Sequence, residues 1–565
     1  MKMLGMTWLS LSSLTAVAQT SPATPLKTPG NGNPLCPFLF TADPTAVEYE
    51  GRLYVYGSND TDEYVARKKQ GENVYDYLKT MAVMSSDDLV NWTFHGVIPA
   101  QQLCEQWDNV VWAPSVVSRV EEDGQTHFYI YFCNGWEGIG VLTSTSPTGP
   151  WTDPIGKPLI DRNTPGVGNM VAVMDAGVVI DDEGTGWLAF GGGLAPSSTG
   201  TELMRGNTRI VKLKPNMVEV DGNAVDVPAP HFFEANELNF MNGKWVYTYC
   251  SQWGYYDDWK EYSTTTPAPG MCSMNYMVST NPLYPDSWKY VGEYFCNPMF
   301  AESGLYAYGN NHTHLHKYKG NYYLLYHTTW LEKEMAKHTG VKTETFRCIG
   351  INAANVKEKL PYIAPVKADN VGVEQLQALN PYVPQQAETI ATCAGLEYEN
   401  FFNASNQKTN VAHENLVIGN IPAGAWTMVR GVDFGEDGAS ALKAKLRGRG
   451  QMEVRLDDIS SDAVAVFSFS SAGWKEPVVS LDPALFKGKH DVYFYFPEGR
   501  AMMFDEWVCT KNVASGIQSP SQSSNEKGAT ETFDLTGRSL NGSLRQGIVI
   551  QRNPASGATR KVLVK

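Results

Sequence analysis

A hairpin pattern that recurs five times constrains the fold more than any other feature of this sequence. Each copy has a polar or acidic opening residue, an apolar strand, a turn with glycine, and a strand of alternating aromatic residues. The turn glycines are Gly51, Gly124, Gly184, Gly243 and Gly320. Each copy predicts a β-hairpin, because the turn residues join two segments that alternate with a period of two.

The spacing of the copies predicts one structural unit per hairpin. Successive turn glycines are 73, 60, 59 and 77 residues apart. A four-stranded blade needs about 40–50 residues, so each interval has room for one blade with insertions. We therefore predict an all-β chain in which residues 34–367 form a five-bladed β-propeller. Five copies of one pattern disfavour the alternative, a β-sandwich with coincidental hairpins.

Two further folded segments follow the predicted propeller. Residues 386–512 contain alternating strands and predict a β-sandwich of the jelly-roll type. Residues 513–530 are rich in Ser, Gln and Gly, which predicts a flexible linker. Residues 531–565 form a short, strand-like C-terminal tail that is too small to hold a core of its own.

The N-terminus predicts export. Residues 1–18 combine the positive charge of Lys2 with an apolar core and an Ala16-Val17-Ala18 cleavage pattern. These are the three parts of a secretory signal peptide. We expect the mature protein in the periplasm, on the cell surface or in the medium.

The charge balance argues against nucleic acid as a partner, and the hydropathy argues against a membrane span. Acidic residues outnumber basic ones by 60 to 45, giving a net charge of −15 and a pI near 5.2. Such a field repels a phosphate backbone, so we exclude a general nucleic-acid binder. No later segment approaches the roughly 18 apolar residues of a membrane-spanning helix, so we predict no membrane span.

The nine cysteines include no C-x-x-C pair, which argues against a zinc ribbon or a redox motif.

The residues that open the copies carry the predicted chemistry. A propeller brings the starts of its innermost strands together at one mouth of the central channel. The openers include Asp43, Asp175, Glu234 and His312. Three carboxylates at one aromatic-lined mouth raise each other's pKa, which is costly for a purely structural role. Glycoside hydrolysis needs such a set: a base, an acid, and a group that sets the pKa of the acid.

The motifs around these openers resemble glycoside hydrolase family 43. They occur in the order of the family and on the repeats described above, and they are Thr41-Ala42-Asp43-Pro44, Trp112-Ala113-Pro114, Met174-Asp175, Phe233-Glu234 and Asn310-Asn311-His312. The resemblance implies a five-bladed propeller and a single-displacement, inverting hydrolysis.

By that resemblance, Asp43 is the general base, Asp175 the pKa modulator and Glu234 the general acid. Glu237 is the alternative acid. We expect Pro44 to hold Asp43 in an extended conformation that aims its carboxylate.

The same resemblance suggests two substrate-binding residues: His312 is the histidine of the central channel, and Arg347 reaches the terminal sugar. Trp112 lies beside a blade opening, which favours a stacking wall for the sugar over a place in the core. His314 and His316 face the same side as His312, but no carboxylate partner is evident nearby, so we do not expect a zinc site. We expect no cofactor in catalysis.

The predicted sandwich resembles a carbohydrate-binding module of family 6. The motifs that carry this resemblance are Gln386-Ala387-Glu388, Gly424-Ala425-Trp426, Gly473-Trp474 and Phe504-Asp505-Glu506-Trp507. The resemblance places a structural calcium at Glu388 and Asp505, and carboxylate oxygens are suitable calcium ligands. It makes Trp474 one aromatic of the sugar cleft, while Asn420 stands where a second aromatic is expected. The segment 531–565 resembles the sorting-type tails of Bacteroidetes exported proteins.

These patterns predict an exported, inverting exo-glycosidase that acts on plant hemicellulose. The expected product is α-L-arabinofuranose from arabinoxylan or β-D-xylose from xylo-oligosaccharides. The alternatives are an endo-arabinanase and a non-catalytic carbohydrate-binding protein. The expected partner is therefore a plant cell-wall polysaccharide.

Overall fold

The computed structural model describes most of the chain. The described residues are 20–168, 170–193, 207–253, 259–300, 310–499, 501–512, 531–533, 540, 547–552 and 559–564. The predicted signal peptide at residues 1–18 and the predicted linker at 513–530 lie outside them. The chain divides into two compact units, residues 1–510 and residues 511–565.

Five antiparallel sheets form the propeller, as the repeats predict. The first repeat contains β1 (Ala42–Tyr49), β2 (Arg52–Ser58), β3 (Gly71–Glu72), β4 (Met81–Ser86) and β5 (Trp92–Ile98). The second contains β6 (Trp112–Val120), β7 (Thr126–Cys133) and β8 (Ile139–Ser144). The third contains β9 (Gly177–Ile180), β10 (Gly186–Gly191), β11 (Thr208–Leu213) and β12 (Val220–Asp226). The fourth contains β13 (Phe232–Met241), β14 (Lys244–Ser251), β15 (Met274–Ser279) and β16 (Lys289–Phe295). The fifth contains β17 (Thr313–Tyr318), β18 (Asn321–Thr328), β19 (Thr343–Glu344) and β20 (Cys348–Ala354), and the short strands β21 (Val356–Lys357) and β22 (Tyr362–Ile363) follow it.

The innermost strands of the blades close a ring. Strand β1 contacts β6, β6 contacts β9, β9 contacts β13, β13 contacts β17, and β17 contacts β1. The turn glycines of the five hairpins all have φ between 71° and 83°. This is the left-handed conformation that only glycine adopts without strain, so the predicted hairpins and the five-bladed propeller are confirmed.

Helices are few and short in the described part of the chain. They are α1 (Asp60–Ala66), α2 (Ala100–Leu103), α3 (Trp259–Tyr262) and α4 (Trp330–Thr339), with 3₁₀ turns at Pro285–Ser287 and Tyr398–Asn400. Among the described residues, no helix has the length and hydropathy of a membrane-spanning segment.

The C-terminal β-module follows the propeller within the first unit. Its strands are β23 (Gln385–Gln386), β24 (Thr389–Ile390), β25 (Thr392–Ala394), β26 (Phe401–Asn403), β27 (Leu416–Ile418), β28 (Trp426–Asp433), β29 (Ala439–Leu456), β30 (Ala465–Lys475), β31 (Val478–Ser480), β32 (Lys489–Tyr495) and β33 (Met503–Lys511). The main sheet order is β25-β28-β32-β29-β33-β27-β26, and β30 and β31 also pair with the long strand β29.

The module is bound to the first blade through both backbone and core. Strand β24 leaves the module and pairs with the outer strand β5, so Thr389 lies opposite Thr93 and Ile390 opposite Trp92. The ring of Phe38 stacks on Phe401 with centroids 4.0 Å apart. The covered blade edge and the shared core make the propeller and the module one packed body.

The second unit contains a small antiparallel sheet. Its strands are β34 (Glu531–Phe533), β35 (Gly547–Arg552) and β36 (Thr559–Val564), with β35 in the centre.

Candidate active site

The backbone bends sharply where the innermost strands enter the channel mouth. Asp43, Ala113, Asp175 and Ala235 have φ values of 50°, 41°, 51° and 61°. Register shifts accompany these bends in β1, β6 and β13. Such bulges redirect side chains, and left-handed non-glycine residues cost about 1–3 kcal/mol each. Because the same left-handed bend recurs in four blades, contacts at the channel mouth, rather than pairing within the strand ladders, determine the backbone conformation of these residues.

The expectation that Pro44 holds Asp43 in an extended conformation is wrong. Asp43 adopts φ 50° because its backbone N–H donates to His327 Nδ1 (3.2 Å) while its carboxylate is fixed on both oxygens. Ser58 Oγ donates to Asp43 Oδ2 (2.8 Å), and Arg347 Nη1 donates to Asp43 Oδ1 (2.8 Å). Tertiary contacts therefore override the preference that the following proline imposes.

Arg347 connects Asp43 to a second buried carboxylate, that of Asp60. Arg347 Nε and Nη2 donate to the two oxygens of Asp60 at 2.8 Å each, and the Arg347 backbone N–H donates to Asp60 Oδ2 at 3.1 Å. All three side chains are buried. A planar guanidinium held in this bidentate way has a fixed orientation.

These contacts keep Asp43 ionised. Burial alone raises the pKa of a carboxyl, but the Arg347 charge and then the contact with His327 outweigh burial and hold the pKa of Asp43 well below its usual range. A carboxylate that is ionised at all ordinary pH values can serve as a base.

Asp175 and Glu234 are in the opposite electrostatic condition. Burial, and to a smaller degree the Asp43 charge, raises the pKa of Asp175 to about 7, although Ala235 N–H donates to Asp175 Oδ2 (2.7 Å). Burial and then the Asp175 charge raise the pKa of Glu234 well above its usual range. Glu234 Oε1 is buried and accepts no hydrogen bond within the described residues. The pair therefore retains a proton on Glu234, which is the condition of a general acid.

Glu237, the alternative acid, points elsewhere. Its Oε1 lies 3.0 Å from His314 Nδ1, and His314 Nε2 lies 3.2 Å from His316 Nδ1. The expectation that no carboxylate lies near these histidines is therefore wrong, because the bulge in β13 turns Glu237 toward the fifth blade. The geometry favours Glu234 over Glu237 as the acid.

One cavity of about 250 Å³ joins the predicted residues. Asp43, Asp175, Glu234, Trp112, His312 and Arg347 line it together with Val74, Tyr75, Ala113, Trp136, Met174 and Asn310. Pockets for drug-sized ligands hold about 300–1,000 Å³, so this cavity matches a single sugar unit.

Aromatic side chains form one wall and the rim of this cavity. Trp112 donates its indole N–H to the backbone oxygen of Tyr75 (3.0 Å), and the Arg347 guanidinium lies 4.9 Å from the Tyr75 ring centroid. Trp136 is 55% exposed. His312 Nδ1 lies 3.7 Å from Asp43 Oδ1, and burial lowers the pKa of His312 to about 4, so the imidazole is neutral. Aromatic faces with one neutral imidazole suit an uncharged ligand such as a sugar.

Several side chains of this site were not predicted from the sequence. Asp60 and Ser58 hold the charged groups, His327 fixes the Asp43 backbone, and Tyr75 and Trp136 line the cavity. Trp136 had a signal, because it follows Gly135 at the end of an aromatic strand. Asp60 had none, since its partner Arg347 is 287 residues away.

The module presents Trp474 on strand β30. The ring is partly buried against a cluster that contains Phe402, Val417 and Met503. Lys445 Nζ lies 5.6 Å from the centroid of the ring. One side of the Trp474 ring therefore remains accessible. Trp474 follows the propeller residues by more than 100 positions in the sequence and is not among the residues that line their cavity.

Glu388 and Asp505 are both buried in the module. Asp505 Oδ1 accepts from Asn415 Nδ2 (3.1 Å), and Lys445 Nζ lies 2.6 Å from Asp505 Oδ2. Glu388 Oε1 has no hydrogen-bond partner in the described residues, and burial followed by the Asp505 charge raises the pKa of Glu388 well above its usual range. A buried carboxylate oxygen without a partner fits a hard cation such as calcium. No cluster of three or more His, Cys, Asp or Glu ligands occurs in the described part of the chain, so a cation there would also need backbone or water oxygens.

Comparisons with known proteins agree with the two-part architecture. The family model described as "Glycosyl hydrolases family 43" matches residues 32–350, and that of "Carbohydrate binding module (family 6)" matches residues 386–511. An arabinoxylan arabinofuranohydrolase of Bacillus subtilis (strain 168) is 35% identical over 526 residues, which cover 89% of this chain and 96% of that protein. An arabinoxylan arabinofuranohydrolase of Paenibacillus polymyxa is 34% identical over 522 residues, 89% of this chain and 78% of that protein.

A solved structure covers both parts of the chain. It is the crystal structure of a glycoside hydrolase family 43 arabinoxylan arabinofuranohydrolase from Bacillus subtilis in complex with cellotetraose. The TM-score is 0.76 at 34% identity, and the alignment covers 86% of this chain and 99% of that chain.

Proposed function

The chain belongs to glycosyl hydrolase family 43, and on that premise we propose that it releases single α-L-arabinofuranose units from arabinoxylan with inversion of configuration. The observation that carries the proposal is one small cavity that holds an ionised Asp43 beside a protonated Glu234. The Bacillus and Paenibacillus relatives, which align along both the propeller and the module, support arabinoxylan as the substrate class.

In the proposed reaction, Asp43 accepts a proton from water as that water attacks the anomeric carbon. Glu234 donates its proton to the glycosidic oxygen, so the C–O bond breaks and the polysaccharide leaves as an alcohol. The sugar leaves with the opposite anomeric configuration because water attacks the face opposite the leaving group.

Asp175 and Arg347 keep the two carboxyl groups in their opposite states. The Asp175 charge raises the pKa of Glu234, so Glu234 keeps its proton. The Arg347 charge lowers the pKa of Asp43, so Asp43 is ionised. We assign His312, Arg347 and Trp112 to binding of the terminal sugar, because all three line the cavity.

We also propose roles for other parts of the chain. Residues 1–18 carry the tripartite pattern that supports export. Glu388 and Asp505 would hold a structural calcium with no part in catalysis. Trp474 would contact the polysaccharide and keep the catalytic cavity near its substrate.

Hydrolysis of aryl α-L-arabinofuranoside and aryl β-D-xyloside tests the proposed substrate. We expect turnover of the arabinofuranoside and release of arabinose from arabinoxylan, and we expect Glu234→Gln to lower the release of arabinose from arabinoxylan by about 10²–10⁴-fold. Preferred turnover of the xyloside would assign a xylosidase instead, and shortening of a linear arabinan would assign an endo-arabinanase. No turnover of any of these four substrates by a folded wild-type protein would leave carbohydrate binding as the function.

A further inference from the structure

Two cysteines lie together behind the strand that carries Glu234. Cys250 Sγ and Cys272 Sγ are 3.4 Å apart, and both residues are 0% exposed. Cys250 lies opposite Glu234 in the β13–β14 ladder. Neither sulfur takes part in the proposed catalytic reaction.

The backbone holds these two sulfurs in place. Ser251 N–H donates to the Ser273 carbonyl (2.9 Å), and Cys272 N–H donates to the Gln252 carbonyl (3.1 Å), so the ladder continues beyond the ends of β14 and β15. Cys272 itself has φ 44°, a bend that turns its side chain toward Cys250. Because a disulfide has an S–S distance near 2.05 Å, the sulfurs need about 1.4 Å of approach to become bonded.

We propose that Cys250 and Cys272 form a disulfide in the mature, exported protein, and that this bond braces the fourth blade behind the general acid. The inference rests on the proposed export, because disulfides form and persist in oxidising compartments. It does not depend on the proposed substrate.

The bond forms by thiol–disulfide exchange with a small-molecule or enzyme disulfide as the oxidant. The two S–H bonds of Cys250 and Cys272 break and one S–S bond forms between them. The S–S bond of the oxidant breaks, and its two sulfurs take up the two protons and two electrons as thiols.

Burial determines when this exchange takes place. It raises the pKa of the Cys250 thiol well above its usual range, so the folded protein presents little thiolate for exchange. The bond therefore forms as the chain folds and resists later reduction. It closes the segment between residues 22 positions apart, which restricts the unfolded chain and stabilises the folded one.

The sequence provides a direct test by peptide mass spectrometry. Lys260 lies between the two cysteines, so trypsin places Cys250 in peptide 245–260 and Cys272 in peptide 261–289. We expect the full chain, purified from an oxidising export compartment and digested without reductant, to give these two peptides as one linked species that separates on reduction. Labelling of the denatured protein would find seven of the nine thiols before reduction and all nine afterwards.

Thermal unfolding tests the bracing role. The wild-type protein is unfolded in denaturant with a phosphine reductant, so that the buried bond is reduced, and is then refolded. We expect this treatment to lower its unfolding midpoint by several degrees. It should leave the double variant Cys250→Ser/Cys272→Ser unchanged. The control Cys296→Ser, which changes a half-buried thiol outside the pair, should retain the wild-type response.

Nine reactive thiols in the protein from the oxidising compartment would overturn the proposal, as would linked peptides that join other cysteines. These results come from the wild-type chain, so they hold even if the double variant does not fold. A reductant that leaves the wild-type midpoint unchanged would overturn the bracing role.

Discussion

The propeller and the module each place a cationic side chain beside buried carboxylates, Arg347 in the propeller and Lys445 in the module, yet they leave different groups uncompensated. In the propeller, Arg347 forms ion pairs with Asp43 and Asp60, and Glu234 has a raised pKa. In the module, Lys445 neutralises Asp505 and leaves Glu388 with a raised pKa.

The surroundings of these two carboxyls differ. Glu234 lines a cavity of about 250 Å³ together with the ionised Asp43, so the proton of Glu234 can reach a ligand in that cavity. Glu388 has a buried oxygen without a hydrogen-bond partner in the described part of the chain, and Lys445 pairs with Asp505 instead. Burial of an acid creates a proton donor only where a reactive partner shares the same cavity; elsewhere it creates a need for a proton or a cation.

The largest expected difference comes from replacing Glu234 and Glu388 by glutamine in two separate variants. Glu234→Gln should lower kcat/KM for arabinoxylan by about 10²–10⁴-fold, because general acid catalysis supplies that factor. Glu388→Gln should change kcat/KM less than about twofold, since Glu388 lies outside the residues that line the cavity.

Steady-state kinetics with two leaving groups would make this comparison sharper. An aryl arabinofuranoside whose leaving group needs little protonation should lose less activity than arabinoxylan in Glu234→Gln. Equal losses for both substrates would contradict the role of Glu234 as the acid.

The next effect separates the two cationic side chains. Asp60→Asn removes one carboxylate from buried Arg347 and presents an amide N–H to the guanidinium, so we expect a loss of stability of about 3–5 kcal/mol. Urea denaturation measures it, with Glu219→Gln of the exposed Lys214–Glu219 pair as the control expected to cost less than about 1 kcal/mol. A similar small cost for both variants would show that Arg347 does not depend on Asp60.

The pH dependence of kcat/KM tests the coupling inside the propeller site. The Asp175 charge raises the pKa of Glu234, so Asp175→Asn lowers that pKa and moves the alkaline limb to lower pH. The acid limb, set by Asp43, should stay below the usual carboxyl range, because Arg347 remains in place. An alkaline limb that stays in place or moves to higher pH would contradict the assignment of Asp175.

Calcium removal tests the module. Without calcium, the raised pKa of Glu388 favours folding below the unfolded pKa of about 4.3, and this contribution is lost as the pH rises. At pH 7, calcium should therefore raise the unfolding midpoint of the wild-type protein and a chelator should lower it again. Glu388→Gln should be at least as stable as the calcium-free wild type and should not respond to calcium. A wild-type midpoint that is independent of calcium would leave Glu388 protonated and exclude the metal site.

The smallest expected effect concerns Trp474. Trp474→Ala should weaken binding to arabinoxylan about two- to tenfold, as the loss of one stacking contact does. Turnover of a small aryl arabinofuranoside should not change, because Trp474 lies outside the cavity. Affinity electrophoresis in arabinoxylan measures the binding, and unchanged mobility of the variant would remove Trp474 from the binding surface.

The repeated elements of the fold could be predicted from the sequence, whereas contacts between residues far apart in the chain could not. The five hairpins and the convergence of Asp43, Asp175 and Glu234 followed from a periodic pattern, because each blade uses the same turn chemistry. The left-handed conformation of Asp43 did not follow, since it depends on His327 and Arg347 from the fifth repeat. The contact between Glu237 and His314, 77 residues apart, was missed for the same reason. Local propensity does not encode such pairings.

In the proposed reaction, Asp43 activates water while Glu234 protonates the leaving oxygen, so the configuration at the anomeric carbon inverts. Proton NMR of the sugar first released from an aryl α-L-arabinofuranoside tests it most directly, because the spectrum is recorded before mutarotation. We predict β-L-arabinofuranose as the first product, with the α-anomer appearing only as the solution equilibrates. First release of the α-anomer would show retention through a covalent intermediate and would contradict the account.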